Sequence, residues 1–227
     1  MKTFTLATRR YFAHVPRRLK RNPALVVALH AGAQTPEGFE RMTGWSTIAT
    51  REKFVVVYPE GIGRSWNAGH GALGEAGRDG VDDRGLLDLV IGDARSRWGC
   101  DLRRVYLSGF SNGSMLAHWY AAARAPSVAA IACVSGGFSR LPDRGTGVGF
   151  IPSVRMVHGT NDDHVPFAGG VGDAQIPGGW YDHLPIEDTA AWWSKQGADV
   201  ATVWRSGGHV WPAGEAEMQW AWMRGIK

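Results

Sequence analysis

The stretch Val105–Met115, V-Y-L-S-G-F-S-N-G-S-M, constrains the fold more than any other part of this chain. Val105 to Ser108 predict a short buried strand, and Ser114 to Ala123 predict a helix. Between them, Gly109-Phe110-Ser111-Asn112-Gly113 is a G-x-S-x-G. A strand that enters a sharp turn and leaves at once along a helix has the shape of a nucleophile elbow, in which the serine is held in strained backbone. The two glycines suit places where a side chain would collide with the neighbouring strand or helix. The helix N-terminus points free N–H groups at any negative charge that develops beside Ser111. The pentapeptide alone is weak evidence, since about 0.2 matches are expected by chance in a chain this rich in glycine. Its strand-before, helix-after setting is what directs the search for partner residues.

The rest of the chain alternates strand and helix signals. Arg9–Val15 reads as an opening strand, and Arg17–Pro23 as a polar loop. Ala24–Leu29 and Phe54–Pro59 are continuous apolar runs, as in strands covered on both faces. Thr35-Pro36-Glu37 starts a helix with proline at its first position, and a second helix is expected around Trp45–Arg51. Gly61–Gly80 reads as a Gly-rich loop. Asp82 and Asp83 then open a helix whose Leu87, Val90, Ile91, Ala94 and Trp98 keep the 3.6-residue period. Beyond the elbow, strands are expected at Ser127–Val134, Val154–Val157 and Ala201–Arg205, and helices at Asp188–Gln196 and Glu215–Arg224. This alternation predicts an α/β architecture of one domain, residues 1–227, with a mainly parallel central sheet and helices on both faces. Ligands of such sheets sit beyond the carboxyl ends of the strands.

Composition removes several classes of function. Hydrophobic content of 44% and charged content of 20% describe an ordinary globule. No apolar run approaches the roughly 18 residues of a membrane span. The opening Met1–Leu6 lacks the apolar core of a secretory leader. The net charge of +4 has its most visible source in Arg9, Arg10, Arg17, Arg18, Lys20 and Arg21, which read as a solvated face rather than a nucleic-acid site. Cys100 and Cys133 fall near opposite ends of a parallel sheet and are expected to be free, buried thiols.

A serine hydroxyl becomes an effective nucleophile when a base takes its proton, and the base needs a third group to fix its tautomer. Two post-strand loops downstream of the elbow supply candidates. One is H-G-T-N-D-D-H-V-P, residues 158–166; the other is S-G-G-H-V-W-P, residues 206–212. With these loops in view, the chain resembles the esterases of the poly(3-hydroxybutyrate) depolymerase and feruloyl esterase type, within the α/β-hydrolases. The features that carry the resemblance are Leu29–Gln34, Tyr58-Pro59-Glu60-Gly61, Ser65-Trp66-Asn67, Val81-Asp82-Asp83, Gly109–Gly113, His158–Pro166 and Gly207–Pro212. The resemblance implies an α/β-hydrolase fold without a large cap, with Ser111 as nucleophile, Asp162 as orienting acid and His209 as general base. Asp163 is the alternative acid. The oxyanion hole is expected from the backbone N–H of Asn112, the residue after the nucleophile, and from Gly32. The family usually has Gly where this chain has Ala31, which leaves Ala31 as the other candidate donor. Many relatives carry cysteines after the Trp-Asn pair, where this chain has Gly69-His70-Gly71.

His209 could be a packed histidine, but a His after two glycines at a strand end has little core to fill. His158 and His164 beside Asp162 and Asp163 suggest a metal-ligand set; with no matching cluster elsewhere, both are expected to be structural, and neither metal nor organic cofactor is expected. Trp66, Trp180 and Trp211 fall in loops on the predicted active face and are candidates for the substrate pocket. The expected activity is a serine carboxylic ester hydrolase working through an acyl-enzyme on short-chain acyl or feruloyl-type esters, free or polymer-linked. Rival readings are a poly(3-hydroxybutyrate) or oligomer depolymerase, a peptidase or lactonase of the same fold, and a catalytically inactive binding module. The resemblance implies an extracellular or periplasmic place and the opening residues fit a cytoplasmic one, so both stay open, as does oligomeric state.

Overall fold

The computed structural model describes residues 1–69, 74–123, 127–138, 140–142, 151–172 and 182–226. Eight strands form one sheet in the order β1-β2-β4-β3-β5-β6-β7-β10. These are β1 (Lys2–Leu6), β2 (Arg9–His14), β3 (Leu25–Leu29), β4 (Val55–Pro59), β5 (Val105–Phe110), β6 (Ala130–Val134), β7 (Ser153–Gly159) and β10 (Val200–Arg205). From β4 to β10 every pairing is parallel, whereas β1 and β2 join antiparallel. β8 (Gly170–Val171) and β9 (Asp182–His183) form a separate two-stranded antiparallel sheet.

The central strands β3, β4, β5 and β6 are buried at every residue. Their unbroken apolar runs are therefore the signature of a sheet covered on both sides. Helices α1 (Pro36–Thr43), α2 (Trp45–Glu52) and α7 (Glu215–Met223) cover one face. They bury Phe39, Trp45, Ile48, Trp220 and Met223 against Val26, Val56 and Tyr106. On the other face, α4 (Asp83–Trp98), α5 (Asn112–Ala123) and α6 (Ile186–Lys195) bury Leu87, Val90, Leu116, Tyr120 and Trp193 against Leu25, Val27 and Leu107. Among the described residues, no helix is long and apolar enough to cross a membrane.

Local chemistry sets the helix starts. The Thr35 side chain accepts the Gly38 N–H ahead of Pro36, and Asp82 accepts the Gly85 N–H at the head of α4. Three readings need correction. The segment Lys2–Leu6 is an edge strand, anchored by Phe4 stacked on Tyr11 at 5.1 Å. The Gly61–Gly80 segment contains a short helix, α3 (Gly74–Arg78), and a 3-10 turn at Ile62–Arg64. The arginine cluster divides: Arg9 pairs with the buried Asp83, while Arg10, in a surface pair with Glu60, and Arg17, Arg18, Lys20 and Arg21 are exposed. Cys100 and Cys133 are free and buried, and burial pushes both thiols up to about 12.

Strand register is what positions the site. Leu29 at the end of β3 pairs with Gly109 of β5, so the turn after β3 lies beside the elbow. Gly159 at the end of β7 pairs with Arg205 of β10. The loops after those strands are laced together by Thr160 N–H to the Arg205 carbonyl at 2.7 Å and Asn161 N–H to the Gly207 carbonyl at 2.9 Å.

Candidate active site

Ser111 sits between β5 and α5 with φ +53°, in the left-handed region that a residue with a Cβ rarely occupies. Its N–H donates to the Val134 carbonyl at 2.9 Å, and its carbonyl accepts the Met115 N–H at 3.0 Å. A Cβ on Gly109 would stand 2.5 Å from the Gly113 carbonyl oxygen, and one on Gly113 would press into the carbonyls of Leu29 and His30. Both glycines of the motif are thus required by close approach. The serine is half-buried, whereas Ser108, Asn112 and Ser114 around it are buried.

The turn after β3 faces this helix start. A Cβ on Gly32 would lie 3.8 Å from Asn112 Cβ. Ala31 N–H donates to Gln34 Oε1 at 3.3 Å, and Ala33 N–H to the Arg64 carbonyl at 2.8 Å. Among the described residues, the N–H groups of Gly32 and Asn112 have no hydrogen-bond partner. The Asn112 side chain clamps the backbone of Trp66, accepting its N–H at 2.7 Å and donating to its carbonyl at 3.1 Å. Trp66 in turn donates Nε1–H to the His30 carbonyl at 2.8 Å. His30 Nδ1 meets the Ala31 carbonyl at 2.8 Å and Nε2 accepts the Gly61 N–H at 3.1 Å, which sets a neutral tautomer with the proton on Nδ1. Burial pushes His30 down to about 4.

Asp162 follows β7 with its side chain fully buried. One oxygen accepts the N–H groups of His164 at 2.9 Å and Val165 at 2.8 Å; the other lies 2.9 Å from His209 Nδ1. Burial works against charge on this carboxyl, but His209, the Val165 N–H and nearby His158 outweigh it and hold it below its ordinary range. Asp163 is exposed and bonds His164 Nδ1 at 2.6 Å instead. Of the two aspartates, Asp162 is the one brought to His209.

The His209 ring is stacked against two others: Phe110, the residue before Ser111, at 5.0 Å and 27°, and His164 at 4.7 Å and 3°. Trp211 stands edge-on to Phe110 at 6.1 Å and to Phe39 at 5.5 Å, at the rim of the same cluster. Trp66 does not fit the reading of a pocket wall: it has no exposed surface and supports the Gly32 turn from within the core. Trp180 lies outside the described residues. Asp162, Asp163 and His164 have ligand atoms within 4.8 Å of one another, but both Asp162 oxygens already take N–H groups. The sequence assigns no role to His30 or Phe110, and it marks His164 only as a possible ligand expected to be structural. His30 had a signal, its place at the head of the family-like turn; the ring stack had none.

The arrangement is a serine in an elbow, two unpartnered N–H groups beside it, and a histidine held by a buried carboxylate. The family model "Esterase PHB depolymerase" matches residues 11–140, which include the Gly32 turn and the elbow. A bifunctional acetylxylan esterase/xylanase, XynS20E, of Neocallimastix patriciarum is 34% identical over 163 residues, covering 69% of this chain and 22% of the relative. Poly(3-hydroxyalkanoate) depolymerase C of Paucimonas lemoignei is 31% identical over 131 residues, covering 56% of this chain and 31% of the relative. The chain thus spans less than a third of the length of either. An acetyl xylan esterase from Aspergillus awamori shares the fold, with a TM-score of 0.71, 18% identity and 98% of both chains covered. The Bacillus cereus carboxylesterase does so at 0.68 and 16%, covering 96% of this chain and 95% of that one. With the fold of the α/β-hydrolase esterases and a family match over more than half its length, this chain belongs to the esterase PHB depolymerase family.

Proposed function

We propose that the protein is a serine carboxylic ester hydrolase in which Ser111 is the nucleophile, His209 the general base and Asp162 the group that orients it. The observation that carries the reading is the Asp162–His209 pair, 2.9 Å apart, with its imidazole stacked on the residue preceding Ser111. In acylation, Ser111 Oγ bonds to the ester carbonyl carbon as its proton passes to His209 Nε2. The carbonyl oxygen becomes an oxyanion, which takes hydrogen bonds from the N–H groups of Gly32 and Asn112. Collapse breaks the bond to the alkoxy oxygen, which leaves as the alcohol with the proton from His209. Water then repeats the sequence on the acyl-serine, releasing the acid and restoring Ser111. Asp162 keeps the Nδ1–H tautomer of His209, so that Nε2 is free to accept the proton, and steadies the imidazolium.

The substrate class follows from the relatives and from Trp211 at the rim of the site: short-chain acyl or aromatic acyl esters, free or carried on a polymer. A depolymerase acting on poly(3-hydroxyalkanoate) is the second reading, favoured by the family match and the Paucimonas relative. The test is hydrolysis of chromogenic acetyl, butyryl, octanoyl and feruloyl esters and of a 3-hydroxybutyrate oligomer, with Ser111→Ala as blank. Ser111→Ala is expected to lower kcat by about 10⁴–10⁶-fold. Ser111-dependent turnover of the oligomer in preference to the small esters selects the depolymerase. Loss of no activity in Ser111→Ala contradicts the proposal.

A further inference from the structure

His209 sits on a loop that does little to hold its ring. Gly207 and Gly208 precede it, and Val210 after it is 58% exposed. The Asp162 bonds fix one edge of the imidazole but leave it able to rock about the axis through Nδ1. Its plane must be held by something else, and the rings stacked on it are those of Phe110 and His164. Phe110 belongs to the fully buried β5 and is part of the scaffold. His164 is a different kind of contact, from a half-exposed side chain.

His164 is itself fixed at two points. Its backbone N–H donates to Asp162 Oδ1 at 2.9 Å, and its Nδ1 is 2.6 Å from Asp163 Oδ1. The carboxylate that binds the edge of His209 therefore also sets the height of the ring that covers its face. The two imidazoles form a stack parallel to within 3°, with ring centroids 4.7 Å apart. The family's loop pattern, as it stands in residues 158–166, assigns the acid to Asp162 and no task to Asp163 or His164.

We infer that His164 is a positioning residue for the reaction: stacked on His209 and aligned by Asp163, it holds the general base in the plane from which Nε2 reaches Ser111. The inference rests on the triad proposed above. Geometry of this kind acts on the chemical step, because an imidazole that rocks out of line spends less time within proton-transfer reach of the serine hydroxyl. Substrate binding does not depend on it. A residue that merely filled space would instead show its loss as lowered stability.

Three substitutions separate the ring face from the Asp163 bond. His164→Phe keeps a flat ring and loses the bond, His164→Asn keeps a side chain able to bond Asp163 and loses the ring, and His164→Ala loses both. All retain the backbone N–H to Asp162. On the best ester of the series, Ala and Asn are expected to lower kcat by about 10–100-fold with KM within about twofold, and Phe to stay within about threefold of the parent. In proton NMR, the downfield Nδ1–H resonance of His209 is expected to be sharp in the parent and His164→Phe and exchange-broadened in His164→Ala. Melting temperatures are expected to stay within a few degrees, since the side chain is 42% exposed. Parent-like kcat in His164→Ala, a Phe variant as slow as Ala, or an effect confined to KM each overturns the inference. His209→Ala, run alongside, keeps two failures apart. If it retains activity, the triad is wrong; if it is inactive while His164→Ala is unaffected, the positioning role alone is wrong.

Discussion

Among the described residues, four buried histidines set an acid limit on this fold; burial lowers them all, His158 included, and the size of the limit follows from the other three. His30 and His183 are pushed down to about 4, and His118 to about 3, in each case chiefly by burial. Each folded-state value lies below the ordinary 6.5, so the native protein holds these rings neutral while the unfolded chain takes up protons. Stability is therefore whole above about pH 6.5 and falls as pH drops toward 4, where the native rings begin to protonate as well. At pH 5 each histidine costs about 2 kcal/mol relative to neutral pH, and the three together about 5–6. That is comparable with the whole stability of many domains, about 5–15 kcal/mol. Burial raises the carboxyls of Asp83 and Glu215, and those shifts work in the opposite sense, since a native acid that protonates first gains stability as pH falls. A single-site difference removes that offset. His118 Nδ1 accepts Trp193 Nε1–H at 2.9 Å, a bond that Asn Oδ1 can replace. Urea unfolding followed by tryptophan fluorescence at pH 7, 6 and 5 is expected to show a steep loss in the parent and one about 2 kcal/mol shallower in His118→Asn. Equal slopes in the two proteins, or a parent whose stability is flat from pH 7 to 5, would refute this account of His118.

Gly32 offers a sharp test of the oxyanion assignment: a Cβ there would make only an ordinary contact, 3.8 Å from Asn112 Cβ, so Gly32→Ala is expected to keep kcat within a few-fold, while Gly32→Pro, which removes the N–H, is expected to lower it about 10²–10³-fold. Equal activity in the two variants moves the donor elsewhere. The Arg9–Asp83 pair, 2.7 Å apart with the Asp83 side chain fully buried, ties β2 to the head of α4 and, through the Asn67 N–H, to the Trp66 loop. Arg9→Ala leaves that carboxylate uncompensated and is expected to cost about 3–5 kcal/mol in urea unfolding; a loss under 1 kcal/mol shows the pair to be marginal.

Much of this fold was legible because its signals are local. The apolar runs at Leu25–Leu29 and Val55–Pro59 are the buried strands they suggest, and Thr35-Pro36 and Asp82 cap helices where expected. The elbow was readable because its strand, turn and helix are contiguous: Gly109 answers to the Gly113 carbonyl four residues on, although Gly113 answers to the distant carbonyls of Leu29 and His30. Long-range features left no trace in the spacing. Arg9 looked like one more surface cation until Asp83, 74 residues on, is seen beside it. Trp66 illustrates a different limit: in a polar loop on the active face, a tryptophan serves equally as pocket wall or as core, and only its bonds to His30 and Asn112 decide. Lys2–Leu6 went unread because an edge strand with one exposed face needs few apolar residues. His164 was visible as a ligand type but not as a stacking partner, since its contact with His209 spans two loops joined by the β7–β10 register.

The central claim, that Ser111 is a nucleophile activated by His209, is tested most directly by reacting the protein with a serine-directed phosphonate and locating the adduct by peptide mass spectrometry. One equivalent is expected on the peptide carrying Ser111, none in Ser111→Ala, and labelling slowed by orders of magnitude in His209→Ala. An unlabelled protein, or an adduct on any other residue, contradicts the claim.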